Sequence, residues 1–142
     1  MKLAYPSCNV DLKTIYTVFI RSILEFSSTV WHSSLTNENR EDLERVQKSA
    51  LKIILQEKYK NYENALNLLD LESLDDRRKK LCYTFAKKCV NNEKTKHYFE
   101  HNKKCHQMKL RTTQPFNVTQ AKTERLKQSA IPYMQMLLNE EN

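Results

Sequence analysis

The sequence predicts an all-α fold, a helical bundle of five to seven helices with an extended basic arm near the C-terminus. Three observations carry this expectation. Apolar residues recur at steps of three and four through most of the chain. Ser, Thr and Asn stand ahead of several of those runs, as helix caps do. The 142 residues include no glycine, where about ten would be ordinary. Left-handed turns must then use other residues, and the 12 asparagines are the expected suppliers.

The first helix is expected over 10–31, capped by Ser7 or Asn9. Its apolar face is Ile15, Phe19, Ile23, Phe26 and Val30, at 4-4-3-4 spacing, widened by Tyr16, Ile20 and Leu24. A helix this apolar is expected at the centre of the core, with Trp31 as an anchor. A second helix starts near Thr36 or Asn37. Glu38, Glu41, Asp42 and Glu44 load its N-terminal half with negative charge, which suits the helix dipole. Its expected buried stripe is Leu43, Val46, Ala50 and Ile53 or Ile54. A short helix over 62–69 follows, with Asn61 as its cap. Ser73 caps a longer helix with Asp75 and Asp76 in its first turn and a seam of Leu74, Leu81, Phe85 and Cys89. Asn91 and Asn92 end it. A short helix is expected over 95–101 and another from Thr123. Pro115 argues for an extended stretch around it. Ser129 and Pro132 open a final helix carrying Met134, Leu137 and Leu138.

The missing glycine excludes whole chemistries. A P-loop, a dinucleotide-binding GxGxxG and a GxSxG nucleophile elbow all need glycine for close backbone approach or positive φ. The length suits one domain. The most apolar segment, 12–31, still contains Lys13, Arg21 and Glu25, so no membrane span of roughly 18 apolar residues is expected. The N-terminal residues lack the pattern of a secretory signal. Four cysteines, Cys8, Cys82, Cys89 and Cys105, do not reach disulfide-scaffold density. They read as reduced thiols of an intracellular protein, with Cys82 and Cys89 as packing residues. The Asn117-Val118-Thr119 sequon reads as chance.

Charge is unevenly placed. Residues 1–76 carry 9 basic and 12 acidic side chains, and 77–142 carry 15 and 5. Within the second part, 77–111 alone carries 12 basic and 2 acidic. Such asymmetry points to a polyanion partner, against the plainer reading of a solvated basic face.

The run IYTVFIRSILEFSSTVWHSSLTNENREDLERVQKSALKIIL (15–55) resembles the C-terminal part of non-LTR (LINE-type) retrotransposon reverse transcriptases. The matching positions are Ile15, Tyr16, Arg21, Phe26 and Trp31, then Leu43, Glu44, Arg45, Val46 and Gln47. The resemblance continues through Leu71, Leu74, Arg77, Arg78, Leu81, Phe85 and Lys88. It ends on Ser129, Ile131, Pro132, Tyr133, Leu137 and Leu138. It covers almost the whole chain and implies the thumb and post-thumb segment of an RNA-directed DNA polymerase. On that reading 1–102 is a thumb-like bundle, 103–120 an extended basic connection and 121–142 a short helical segment. The polymerase chemistry of the family needs an aromatic-x-Asp-Asp turn and a further Asp to hold two cations. The single Asp-Asp here, Asp75-Asp76, follows Ser73-Leu74 at a helix start and reads as capping. The resemblance therefore implies a fragment without the catalytic palm, not an enzyme on its own. Its expected place is the nucleus or cytoplasm. Its expected partners are RNA or an RNA–DNA duplex, held electrostatically, and the missing palm and fingers of the parent polyprotein. A structural or interaction remnant that binds no nucleic acid is the alternative.

The candidate nucleic-acid-binding residues are Arg77, Arg78, Lys79, Lys80, Lys87, Lys88, Lys103, Lys104, Lys109 and Arg111. For Arg77 and Arg78, phosphate contact competes with ion pairing to Asp75, Asp76 or Glu72. Tyr83, Tyr98, Phe99 and Phe116 interleave with the lysines as base-stacking candidates, although aromatic residues at helical spacing more often belong to a core. His97, His101 and Cys105 are four apart and would share one face of a continuous helix, with His106 beside them. Structural zinc wants four ligands, usually with a tight Cys or His pair. No metal and no cofactor are expected here.

Overall fold

The computed structural model describes residues 8–102 and 114–140. The fold is all-α, with one isolated antiparallel bridge between His101 and Phe116 among the described residues. Helix α1 spans 8–25 as α-helix over Cys8–Ile15, a π-helical stretch over Tyr16–Ile20 and α-helix again over Arg21–Glu25. Then follow α2 (Ser28–Trp31), α3 (Asn37–Leu55), α4 (Tyr62–Leu69), α5 (Leu74–Val90), α6 (Glu124–Lys127) and α7 (Ala130–Glu140). Short 3-10 turns occupy His32–Ser34, Gln56–Lys58 and Lys96–Tyr98.

Two compact units share the chain. The first holds the chain up to Phe26 together with Thr36–Arg77, and the second holds Ser27–Leu35 and the chain from Arg78 onward. The first unit buries Tyr16, Ala50, Leu51, Ile54, Leu55, Ala65 and Leu69. Thr36 caps α3 by accepting from the Asn39 N–H, and Asn61 caps α4 by accepting from the Asn64 N–H. A polar chain runs through this unit. The Tyr16 hydroxyl donates to Gln47 Oε1 (2.5 Å), and Gln47 Nε2 donates to the Tyr62 hydroxyl and the Glu72 carbonyl (2.9 Å each). The Tyr62 hydroxyl donates to Glu44 Oε2 (2.5 Å), and Glu44 Oε1 accepts from the Asp75 N–H (2.8 Å). Burial holds both tyrosine hydroxyls well above their ordinary pKa, and for Tyr62 the bond to Glu44 adds to the effect.

The second unit packs Ala86, Cys89, Phe99, Phe116, Met134 and Leu138 together. Gln135 accepts from the Thr119 N–H and donates to the Tyr98 carbonyl. Asn139 grips Phe116 from both sides, accepting from its N–H and donating to its carbonyl. Thr123 caps α6, and the Ser129 carbonyl accepts from the Tyr133 N–H in the first turn of α7.

Several expectations need correction. The first helix does not continue to residue 31. It stops at Phe26, and Ser27 turns left-handed at φ 50°. Its predicted core face is the exposed one: Phe19, Ile23 and Phe26 are 64%, 75% and 77% exposed. The inner face is Leu12, Tyr16, Arg21, Leu24 and Glu25. Tyr16 and Leu24, expected to widen the apolar face, are on this inner side, and it steps by five across the π turn, which a search at three and four does not follow. On α3 Ala50 and Ile54 are buried as expected, whereas Val46 and Ile53 are exposed and Gln47, Leu51 and Leu55 complete the buried stripe. In α5 the seam is Leu74, Arg78, Cys82, Ala86 and Cys89, and Phe85 faces outward. The expected helix over 95–101 is only a 3-10 turn followed by the bridge at His101. Asn9 lies within α1 rather than capping it, and Ser7 is outside the described residues. Asparagine does not make the left-handed turns either. The described residues with positive φ are Ser27, Gln56 and Asp70.

Candidate nucleic-acid interface

Helix α5 presents most of the candidate residues, and its local sequence explains how. Ser73 Oγ accepts from the Asp76 N–H at the helix start, and Asp75 and Asp76 lie on the positive end of the dipole. Leu74, Arg78, Cys82, Ala86 and Cys89 are spaced 4-4-4-3, so they fall on one side. Lys79, Lys80, Lys87 and Lys88 occupy the remaining arc, and all four are exposed.

The two arginines behave differently from the lysines. Arg77 belongs to the first unit, where its Nε stands 2.6 Å from Glu25. Its partner is therefore not Asp75, Asp76 or Glu72; Asp75 pairs with Arg40 at 3.0 Å instead. Arg78 is 0% exposed, and its guanidinium lies 5.8 Å from the centroid of the half-buried Trp31 ring. It shares the seam with Cys82, whose thiol burial pushes up to about 11 against the opposing Arg78 charge. That thiol is neutral near pH 7 and buried, in keeping with a packing role.

Among the lysines, Lys79 reaches Glu140 of α7 at 3.6 Å, and Lys87 lies 4.3 Å above the Tyr83 ring. Tyr83 is half-buried, Phe99 and Phe116 are core residues, and Tyr98 is exposed beside His97 with ring centroids 3.9 Å apart. Of the four aromatic candidates, Tyr98 offers the freest ring. Lys103, Lys104, Lys109 and Arg111 lie outside the described residues, as do Cys105 and His106. His101 stacks on Phe116 at 4.6 Å, so His97 and His101 do not line one helix face. Among the described residues no group of three or more His, Cys, Asp or Glu is placed to hold a metal. Lys94 and Lys96 are exposed as well. They were legible only as members of the 77–111 charge run, having no helical register to single them out. No helix among the described residues is long and apolar enough to cross a membrane.

No family model, curated protein or solved structure matches the chain.

Proposed function

We propose that the chain is a C-terminal accessory module of a non-LTR retrotransposon RNA-directed DNA polymerase, acting inside the cell, that holds RNA or an RNA–DNA duplex by charge and has no catalysis of its own. The observation that carries this reading is the lysine arc of α5. Lys79 and Lys80 sit two helical turns from Lys87 and Lys88, about 12 Å along the axis. That span covers several phosphates of one strand. The second unit, which contains the arc, carries 14 Lys and Arg against 5 Asp and Glu, so the surrounding field favours a polyanion. The resemblance of 15–55 and the later motifs supplies the parent enzyme.

The test is binding of a labelled RNA–DNA duplex across a salt titration. Each phosphate contact contributes about 0.7–0.9 to the slope of log affinity against log salt. Replacing Lys79, Lys80, Lys87 and Lys88 together by Ala is expected to flatten the slope by about 3 with helix content unchanged. Arg78→Met, made on the buried seam, is expected to leave the slope as it is. An unchanged slope in the quadruple variant would move the contact elsewhere. A second reading, an interaction remnant that binds no nucleic acid, is favoured by Arg77 and Arg78. Both basic positions of the resemblance are engaged within the fold. Absence of salt-sensitive binding at low-micromolar protein selects that reading.

A further inference from the structure

The outer side of α1 is an apolar surface that nucleic-acid binding leaves unused. Ile15, Val18, Phe19, Ile20, Ile23 and Phe26 are all exposed there, between 40% and 77%. Val46 and Ile53 of α3 extend the same apolar surface at 43% and 66% exposure. Between the two helices lies a groove of about 280 Å³, walled by Ile15, Ile20, Val46 and Ile53 with Tyr16 and Ala50 among its lining. All of these residues belong to the first unit.

We propose that this face joins two copies of the chain in an isologous dimer, with α1 of one copy packed on α1 and α3 of the other. Area is the first argument. The eight exposed side chains offer on the order of 900 Å², against the ~800 Å² per partner that a stable interface buries. A typical monomer's largest apolar patch is only about 300–600 Å². Charge is the second. The first unit carries 10 Lys and Arg against 12 Asp and Glu, so two copies meet there with little net repulsion, whereas the second unit carries 14 against 5. Shape is the third. The patch holds both a ridge, Phe19 and Ile23, and a groove beside it. A two-fold axis sets the ridge of each copy against the groove of the other.

The experiment is analytical ultracentrifugation of the full chain in high salt, free of nucleic acid, from about 1 to about 100 µM. The expected species is a dimer of twice 16.9 kDa. Phe19→Asp with Ile23→Asp is expected to halve the mass while circular dichroism keeps its helical amplitude, since both side chains stand in solvent in the monomer. Ile53→Asp, made on α3, is expected to halve it too and gives an independent reading should the double variant lose helix. Leu68→Asp, at an exposed apolar position outside this face, is expected to leave the dimer intact. A monomer at the highest concentration overturns the proposal, as does a dimer that survives the α1 and α3 variants or an assembly larger than two. A monomer that binds phosphatidylcholine vesicles through this face also overturns it and assigns the surface to lipid.

Discussion

Gln47 uses both ends of its amide: its oxygen takes the Tyr16 hydroxyl, and its nitrogen reaches Tyr62 and the Glu72 carbonyl. It is 0% exposed, so each of those bonds replaces water that cannot enter. Tyr62 is the hinge of the chain of bonds, accepting from Gln47 and donating to Glu44. Tyr62→Phe is expected to lower the urea midpoint by an amount worth about 1–2 kcal/mol, with the slope of the transition unchanged. An unmoved midpoint would mean that water restores what the hydroxyl supplied. Residue identity alone hid this network, because Gln and Glu in a Leu-Glu-Arg-Val-Gln run read as the polar side of a helix. Arg78 shows the same difficulty. In the string Arg-Arg-Lys-Lys it looks like one more surface base, yet it stands four residues after Leu74 and four before Cys82. Its phase, not its type, decides that it is buried.

At the scale of elements, four helix starts are legible in the sequence, while the start and the stop of α1 are not. Asn61 and Ser73 cap the helices that the sequence assigns them, and Thr36 and Thr123, read there as helix starts, cap theirs as well. Those signals are local, a side-chain oxygen meeting an N–H three residues on. What is not legible is the buried phase. Val46 and Ile53 of α3 and Phe85 of α5 face outward on regular helices. On α1 the π turn adds a further shift that no residue type announces. Hydroxyls accompany the irregularity: Ser22 Oγ donates to the carbonyls of Val18 and Phe19, and Thr17 Oγ1 donates to that of Thr14. The other failure concerned turns without glycine. Gln56 closes α3 at φ 49° and ψ −116°, a region that a Cβ disfavours. Gln56→Gly is expected to raise stability by about 1 kcal/mol. Gln56→Ala, which keeps the Cβ, is expected to change little. Thermal unfolding of the two variants side by side checks this, and equal melting temperatures would show that the strain is relieved elsewhere.

For the whole molecule, the sequence located the charge better than the core. The basic excess begins at Arg77, and the second compact unit, which also holds Ser27–Leu35, takes up the chain again at Arg78. Charge asymmetry is a sum over many residues and survives errors in any single assignment. Core membership is a matter of phase, and a shift of one residue moves a side chain from the core to solvent. The exposed lysines of the arc are therefore legible from composition, while the environment of the apolar face of α1 is not.

The bond from the Asp75 N–H to Glu44 has a kinetic consequence. First-turn amides of a helix have no partner within it and normally trade their protons with water quickly. This one donates to a carboxylate 31 residues away in sequence, on a different helix. Its proton can leave only when α3 and the start of α5 separate. In deuterium oxide, Asp75 should therefore exchange at the pace of the buried amides of α3. One resonance then becomes a clock for the opening of the entire first unit.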